Sequence, residues 1–191
     1  MVEVVQASQL SNHPISVVLV TDYSNGGDVI IAKENIQTIR DLKGLTVGAE
    51  VGSLGLFIVD RALRSEALTL DDVTLKNIAQ HEGEKLLLAG QIDAYVSYAP
   101  YSVRTLQNEG VHTIFDSSQI PYEVVDTIAI RKSILQQNPD IARKLQRAWQ
   151  LALDYTRDNP QQAYAIMAER QGITADEFEL SLNGLKMLDL K

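Results

Sequence analysis

The 191-residue chain lacks cysteine, which excludes disulfide bonds, thiolate-bound metals and a cysteine nucleophile. It also lacks any apolar run near the ~18 residues that a membrane-spanning helix needs. Basic residues are in the minority, and the formal net charge is −8. Because phosphate backbones require clustered lysine and arginine, no nucleic-acid partner is predicted. The 45% hydrophobic content is ample for a buried core, so a globular protein is expected.

Common catalytic and metal-binding constellations are missing as well. The three histidines, His13, His81 and His112, are far apart, and none has the i, i+4 spacing of a helical metal pair. The stretch HEGEK at His81 is similar to the start of a zinc-protease helix, but the second histidine is absent. No serine lies in a nucleophile elbow, and no glycine-rich loop ends in Lys-Ser or Lys-Thr. We therefore predict no catalytic residues, no metal and no cofactor.

The N-terminal stretch MVEVVQASQLSNHP does not have the basic start and apolar core of a secretory signal. A chain without cysteine suits a reducing or an oxidising compartment equally well. The sequence therefore leaves two expectations open: a cytosolic protein, or a mature or shortened form of an exported one.

Short β-branched segments alternate with segments of helical periodicity over most of the chain. The predicted strands are Ile15–Thr21, Asp28–Ala32, Leu45–Ala49, Val73–Leu75, Ile92–Val96, Thr113–Phe115 and Val124–Ile130. Continuous apolar strands that alternate with helices predict an α/β fold with a mainly parallel sheet covered on both faces.

The end of the chain is predicted to be helical. Asn138-Pro139 and Asn159-Pro160 are each typical of an N-cap followed by proline at the first helical position. Residues Thr174 to Glu177 form a capping-box pattern, and Gly172 is predicted to end the preceding helix. We therefore expect the chain to finish as three helices without a strand.

Two glycine-containing loops are candidates for ligand binding. The strand LTVGAE leads into Gly52 and Ser53, where N–H groups at a helix start suit an anionic or polar group. The loop Tyr23–Gly27 follows the strand ISVVLVTD, and ligands of open α/β sheets gather at the carboxyl ends of strands. A plain helix cap and a plain tight turn, neither of which needs a ligand, are the alternatives.

A cluster of tyrosines, Tyr95, Tyr98 and Tyr101, lies at the end of the strand IDAYV and just after it. Tyrosine packs like a hydrophobic residue and also offers a hydroxyl, which suits a small-molecule site. Half-buried packing without a ligand is the alternative reading of this cluster.

These segments follow one another in the order of a known protein family. Four stretches carry the similarity: GGDVIIAKENIQTIRDLKGLTVGAEVGSLGLFIVDRAL, LTLDDVTLKNI, LLAGQIDAYVSYAPY and NPDIARKLQRAWQLALDYTRDNPQQA. Together they resemble the periplasmic solute-binding proteins of ABC transporters, in the nitrate/sulfonate/taurine (NMT1/THI5-like) family. The resemblance extends from about residue 14 to residue 185.

The resemblance implies a two-lobed, type II periplasmic-binding-protein-like fold, the Venus flytrap. Residues 36–122 form one lobe in this picture, and residues 1–26 and 133–191 form the other. Residues 27–35 and 123–132 are the implied hinge crossings.

The lobe that combines residues 1–26 with residues 133–191 is expected to be incomplete. Only 26 residues precede the first crossing, whereas one βαβ unit needs about 30. The N-terminal βα units of the family are therefore expected to be absent. A sheet that lacks its first strands exposes apolar edges, which predicts self-association.

Six residues are implied to contact a ligand held between the lobes: Ser24, Asn25, Gly52, Ser53, Tyr98 and Asp126. Gly52 and Ser53 offer backbone N–H groups, Tyr98 stands at the position of an aromatic wall, and Asp126 lies in the second crossing. Two departures from the family pattern affect specificity. Leu54 and Gly55 replace a polar pair and Ala99 replaces a glutamate, so sulfonate specificity is not inherited by default.

The implied function is non-enzymatic. An extracytoplasmic solute-binding component of an ABC importer captures a small sulfonate, taurine, nitrate or related molecule and delivers it to a membrane permease. One alternative is a ligand-sensing domain of a membrane signalling protein, which a fused transmembrane helix in the full-length gene distinguishes. Another is an enzyme of thiamine- or menaquinone-precursor chemistry on the same fold, which requires a catalytic acid, base or nucleophile.

Overall fold

The structure is a computed structural model that describes residues 1–10 and 14–190. The chain folds as two compact units: the first consists of Met1–Ser24 and Tyr122–Lys191, and the second of Asn25–Pro121. The implied hinge crossings, residues 27–35 and 123–132, fall within the second and the first unit, respectively, and their role as crossings stays a prediction. His13 lies outside the described residues.

The secondary-structure elements are as follows. The strands are β1 (Ile15–Ser24), β2 (Asp28–Lys33), β3 (Thr46–Ala49), β4 (Thr74–Asn77), β5 (Ala94–Tyr98), β6 (Val111–Asp116), β7 (Val125–Arg131) and β8 (Leu185–Met187). The α-helices are α1 (Val2–Leu10), α2 (Leu54–Ser65), α3 (Gln80–Leu88), α4 (Tyr101–Thr105), α5 (Lys132–Gln137), α6 (Ile141–Asp158), α7 (Pro160–Gln171) and α8 (Ala175–Leu182). Short 3-10 helices span Ile39–Leu42, Leu70–Asp72 and Ser117–Gln119.

The second unit is built on a five-stranded sheet in the order β4-β3-β5-β2-β6. Strand β3 runs parallel to β4 and β5, whereas β2 is antiparallel to both of its neighbours, β5 and β6. The α/β class is confirmed, but the sheet is mixed rather than mainly parallel. Strand β2 is buried from Asp28 to Ala32, and a continuous apolar run does not distinguish a buried parallel strand from a buried antiparallel one.

The second unit has a dense core. Helix α2 contributes Ile58, Val59, Ala62 and Leu63, which are all completely buried and recur at the spacing of one helix face. Helix α2 contacts strands β3 and β5 of the sheet, and Ile30 of β2 is also fully buried. Burying each large aliphatic side chain contributes about 1.5–3 kcal/mol, so this core holds α2 and the turn before it in place.

The first unit contains a three-stranded antiparallel sheet in the order β7-β1-β8. The prediction that the chain ends without a strand is wrong, because β8 pairs with the end of β1, where Asp22 lies opposite Met187. The N–H of Leu188 continues this pairing by donating to the carbonyl of Thr21 at 2.8 Å. A three-residue strand is too short to show alternation, so the sequence carries no signal for it.

Several predicted helix ends are confirmed. Thr174 and Glu177 form the capping box, with Glu177 N–H donating to Thr174 Oγ1 at 3.2 Å, and Gly172 ends α7 with a left-handed φ of 66°. Helix α7 begins at Pro160, as predicted, but α6 begins at Ile141, two residues after Pro139. Over the described ranges, no helix combines the length and the hydropathy that crossing a membrane requires.

Candidate ligand-binding site

One edge of the five-stranded sheet collects three of the predicted site residues. Strands β3 and β5 are parallel neighbours, with Val47 opposite Ala94, so their carboxyl ends lie at the same edge. The turn with Gly52 and Ser53 follows β3, and Tyr98 ends β5. This edge of the second unit is the position at which open α/β sheets bind ligands.

The turn between β3 and α2 has the geometry of a helix cap. Gly52 has a φ of 90°, which favours glycine, and a Cβ at this position would meet nothing within 4 Å. Ser53 Oγ accepts a hydrogen bond from Gly55 N–H at 3.4 Å and donates one to the carbonyl of Glu50 at 3.2 Å. The prediction that Ser53 caps α2 is confirmed, and the ligand role of both residues stays a prediction. The space outside Gly52 is open to a ligand.

The three tyrosines of the predicted cluster separate into two environments. Tyr98 is 41% exposed, and its ring lies edge-on to that of Tyr101, with 6.1 Å between the ring centroids. Tyr95 is completely buried and its hydroxyl lies 2.5 Å from Thr105 Oγ1. Tyr95 is therefore a core residue, and the aromatic surface at the sheet edge consists of Tyr98 and Tyr101.

The loop Tyr23–Gly27 passes from one unit to the other. Ser24 is buried at the end of β1 in the first unit, where its N–H donates to the carbonyl of Val124 at 2.9 Å. Asn25 is half-buried in the second unit. The next residue, Gly26, has a φ of 102° and donates its N–H to Ser117 Oγ at 2.8 Å.

Asp126 is an exposed residue of β7 in the first unit, and its cross-strand partner is Asp22. Asp22 is 6% exposed, and its Oδ1 has no hydrogen-bond partner among the described residues. Burial raises the pKa of the Asp22 carboxyl, a hydrogen bond from Thr21 opposes the rise, and the nearby charge of Asp126 adds to it. Ser24 and Asp126 thus belong to the first unit and the other candidates to the second, and one site formed by all six stays a prediction.

Two supporting residues were missed by sequence reasoning. Asn77 Oδ1 accepts a hydrogen bond from Val51 N–H at 2.9 Å, which fixes the turn before α2. Ser117, which is completely buried, fixes the glycine loop through Gly26. Both contacts join residues that are far apart in the chain, so no local pattern announces them.

No group of three histidine, aspartate or glutamate side chains suited to a metal ion occurs within residues 1–10 and 14–190.

The architecture is that of the periplasmic binding proteins. The crystal structure of the periplasmic aliphatic sulphonate binding protein SsuA from Escherichia coli matches with a TM-score of 0.82 and 21% identity, over 96% of this chain and 65% of that one. The desulfurization enzyme DSZB matches with a TM-score of 0.74 and 15% identity, over 94% of this chain and 67% of that one. At such identities, these likenesses establish the fold.

The family follows from the sequence comparison. The family model described as NMT1/THI5 like matches residues 2–163, and the chain belongs to this family. A protein of Escherichia coli (strain K12), named as a binding protein for aliphatic sulfonates, is 26% identical over 150 residues, which are 78% of this chain and 47% of that protein. The chain thus spans about half the length of the curated relatives that it matches.

Proposed function

We propose that this chain belongs to the extracytoplasmic solute-binding component of an ABC importer and binds a small anion, with sulfonates as the first class to test. Family membership supports the binding role, and the named relatives support the sulfonate class. A membrane permease is the proposed partner for delivery of the bound solute.

The observation that carries this proposal is the open turn at Gly52 and Ser53, which lies at the same edge of the sheet as the exposed ring of Tyr98. The turn precedes a helix of 12 residues whose first turn contains no acidic side chain. Backbone N–H groups at such a helix start, together with the positive end of the helix dipole, favour an anionic group. Tyr98 offers an apolar face with a polar tip to the organic part of the solute.

We propose the remaining predicted residues as further contacts. Ser24, Asn25 and Asp126 supply polar groups for the end of the solute that carries no negative charge. Asp126 is exposed and acidic, so it suits an amine or hydroxyl group rather than the sulfonate itself.

An enzymatic function is a second candidate, because a desulfurization enzyme shares the fold. Ser53 is the hydroxyl nearest to the open turn, and it donates to the carbonyl of Glu50, which is not a general base. We therefore propose binding without catalysis. A sensing domain uses the same binding chemistry, and genes for a permease and an ATPase beside this gene favour import over sensing.

The test is a thermal-shift screen of the purified chain with alkyl- and arylsulfonates, taurine, nitrate, bicarbonate, pyrimidines and small aromatic acids. A ligand that binds only the folded state, at 100 times its Kd, adds about 2.7 kcal/mol of stability. We expect a shift with sulfonates, confirmed by calorimetry, and no turnover of the ligand. A cooperative melt that no anion shifts contradicts the proposal, and a chemically altered ligand supports the enzymatic alternative.

A further inference from the structure

Helix α6 of the first unit exposes an apolar stripe. None of its 18 residues is buried, and Leu151 and Tyr155 are 59% and 41% exposed. Ala148 is also exposed, and the spacing of these three residues places them on one side of the helix. Apolar side chains that are exposed side by side on one helix face form a candidate surface for contact with another protein.

The opposite side of α6 is anchored within the first unit. Trp149 Nε1 donates to the carbonyl of Leu188 at 3.0 Å, and Gln146 Nε2 donates to the carbonyl of Val18 at 2.8 Å. Both anchoring residues lie about half a turn from Leu151, at 3.6 residues per turn. The stripe therefore faces away from the three-stranded sheet.

The charged residues on this side of α6 are basic before Leu151 and acidic after it. Lys144 lies seven residues before Leu151, and Asp158 lies seven residues after it. Arg147 lies four residues before Leu151, and Tyr155 four residues after it. All are exposed, and Lys144, Arg147 and Asp158 form no ion pair with any residue that the structure describes.

We propose that the chain forms a reversible symmetric dimer in which α6 packs antiparallel against α6 of a second copy, with Leu151 at the two-fold axis. In this register Lys144 lies opposite the partner's Asp158, and Arg147 lies opposite the ring of the partner's Tyr155. The first is an ion pair and the second a cation–π contact, and symmetry forms each of them twice. The parallel arrangement instead places Lys144 beside the partner's Lys144 and Asp158 beside the partner's Asp158.

The size of the surface sets the expected strength of the dimer. Stable protein interfaces bury about 1,200–2,000 Å² in total, and a single pair of helices of this length falls at or below the lower end. Exposed ion pairs add little affinity but fix the orientation of the partners. We therefore expect a weak dimer in rapid exchange that is favoured by high concentration and weakened by salt.

The first experiment is sedimentation velocity of the whole chain over a broad concentration series without ligand. We expect the average mass of the wild type to rise from monomer towards dimer. Leu151→Glu places two carboxylates at the axis and should keep the chain monomeric. Leu180→Glu on α8 is the matched control, since Leu180 is 53% exposed, and it should dimerise like the wild type. Circular dichroism and thermal melting verify that each variant is folded.

Charge reversal tests the register. Lys144→Asp and Asp158→Lys each place like charges opposite one another twice and should raise the dimer dissociation constant by about tenfold or more. The double variant, or an equal mixture of the two single variants, should restore the wild-type constant. Residues 144 and 158 are about 21 Å apart along one helix, so rescue must come from a second chain. A wild type that remains monomeric throughout, a Leu151→Glu variant that still dimerises, or the absence of rescue overturns the proposal.

Discussion

The ring of Tyr95 lies directly against the backbone of Gly83, so closely that a Cβ at residue 83 would come within 2.1 Å of Tyr95 Cε2. Gly83 is a buried residue in the middle of α3, and Tyr95 belongs to the central strand β5. The glycine allows α3 to pack closely against the ring of Tyr95. This contact explains the glycine of the stretch HEGEK in terms of packing.

The variant Gly83→Ala tests this contact, because the contact determines whether the substitution raises or lowers the free energy of unfolding. In an ordinary helix interior, replacing glycine by alanine stabilises by about 0.5–1 kcal/mol. Here we expect a loss of about 1–3 kcal/mol, because Tyr95 is completely buried, its hydroxyl contacts Thr105, and its ring cannot move without disturbing the core. Urea denaturation measures the free energy of unfolding of both proteins.

The control is the same substitution in a Tyr95→Leu background. Removing the ring opens space at residue 83, so Gly83→Ala should there become neutral or stabilising, with a coupling free energy of about 1 kcal/mol or more. A substitution that stabilises equally in both backgrounds contradicts the proposed overpacking.

Asp93 joins the starts of β3 and β5 to the end of β2. Its Oδ1 accepts a hydrogen bond from Lys33 Nζ at 2.7 Å, and its Oδ2 accepts one from Thr46 N–H at 2.9 Å. Partial burial raises the pKa of Asp93, but the hydrogen bonds from Lys33 and Thr46 outweigh it and hold the pKa below the ordinary value. The charged carboxylate therefore stabilises the second unit.

The variant Asp93→Asn should lower the stability at neutral pH by about 1–3 kcal/mol. A depressed pKa contributes stability above the unfolded-state pKa of about 3.9, and this contribution is lost as the pH falls towards the folded-state pKa. The difference in the free energy of unfolding between wild type and variant should thus shrink as the pH falls below about 4. Urea denaturation from neutral to acidic pH measures it, and Asp71→Asn, at an exposed residue, is the control. A difference that is constant over this range contradicts the assignment.

The sequence predicted strands β2 and β3 of the second unit well, because their apolar residues are also buried in its core. Strand β2 illustrates this, since the apolar residues Val29 to Ala32 are all buried. The sequence did not predict strand directions, because a run buried on both faces looks the same in parallel and antiparallel sheets. The strand β8 was missed because its order comes from pairing with β1 and not from its own composition.

The candidate site, too, could be predicted from the sequence only in part. The cap at Ser53 was predictable, since a serine before an apolar helix is a local signal. The separation of Tyr95 from Tyr98 was not predicted, although residues three apart in one strand point to opposite faces of the sheet. The support from Asn77 and Ser117 comes from residues 26 and 91 positions away in the chain, and single-sequence patterns do not extend so far.

The pair Asp22 and Asp126 predicts that one contribution to the stability of the fold decreases as the pH rises from acid towards neutral. Burial raises the pKa of Asp22, so the folded state holds its proton more tightly than the unfolded state does. Stability from this group is full below the unfolded-state pKa of about 3.9 and is lost as the pH rises through the raised folded-state pKa. At neutral pH the buried charge is a cost, which the unpartnered Oδ1 also indicates.

Asp22→Asn should therefore raise the melting temperature at neutral pH and change it little in acid. Asp126→Asn removes the neighbouring negative charge, which raises the pKa of Asp22 less than burial does. This variant should therefore also raise the melting temperature at neutral pH, but by less than Asp22→Asn. Calorimetric melts of wild type and both variants between acidic and neutral pH measure these effects. A loss of stability in Asp22→Asn at neutral pH shows instead that the charged carboxylate has a favourable partner.

The exposed position of Tyr98 allows binding and stability to be separated. Tyr98→Ala should raise the Kd for the ligand identified by the screen by about tenfold, which corresponds to about 1.4 kcal/mol. It should leave the melting temperature of the free protein nearly unchanged, since the side chain is 41% exposed. Titration calorimetry and thermal melting provide the two readouts, and Tyr98→Phe tests whether the hydroxyl or the ring carries the effect.

Trp149→Ala is the matched control for Tyr98→Ala. Trp149 is half-buried, and its indole N–H donates to the carbonyl of Leu188. Replacing a fully buried aromatic residue by alanine costs about 3–5 kcal/mol, so a loss on the order of 2 kcal/mol is expected here. The Kd should stay within about twofold, because the hydrogen-bond partner of Trp149 is Leu188, which is not one of the proposed ligand contacts. Equal effects of the two substitutions on the Kd contradict the assignment of Tyr98 to the site, whereas a large loss of stability in Tyr98→Ala identifies Tyr98 as a core residue.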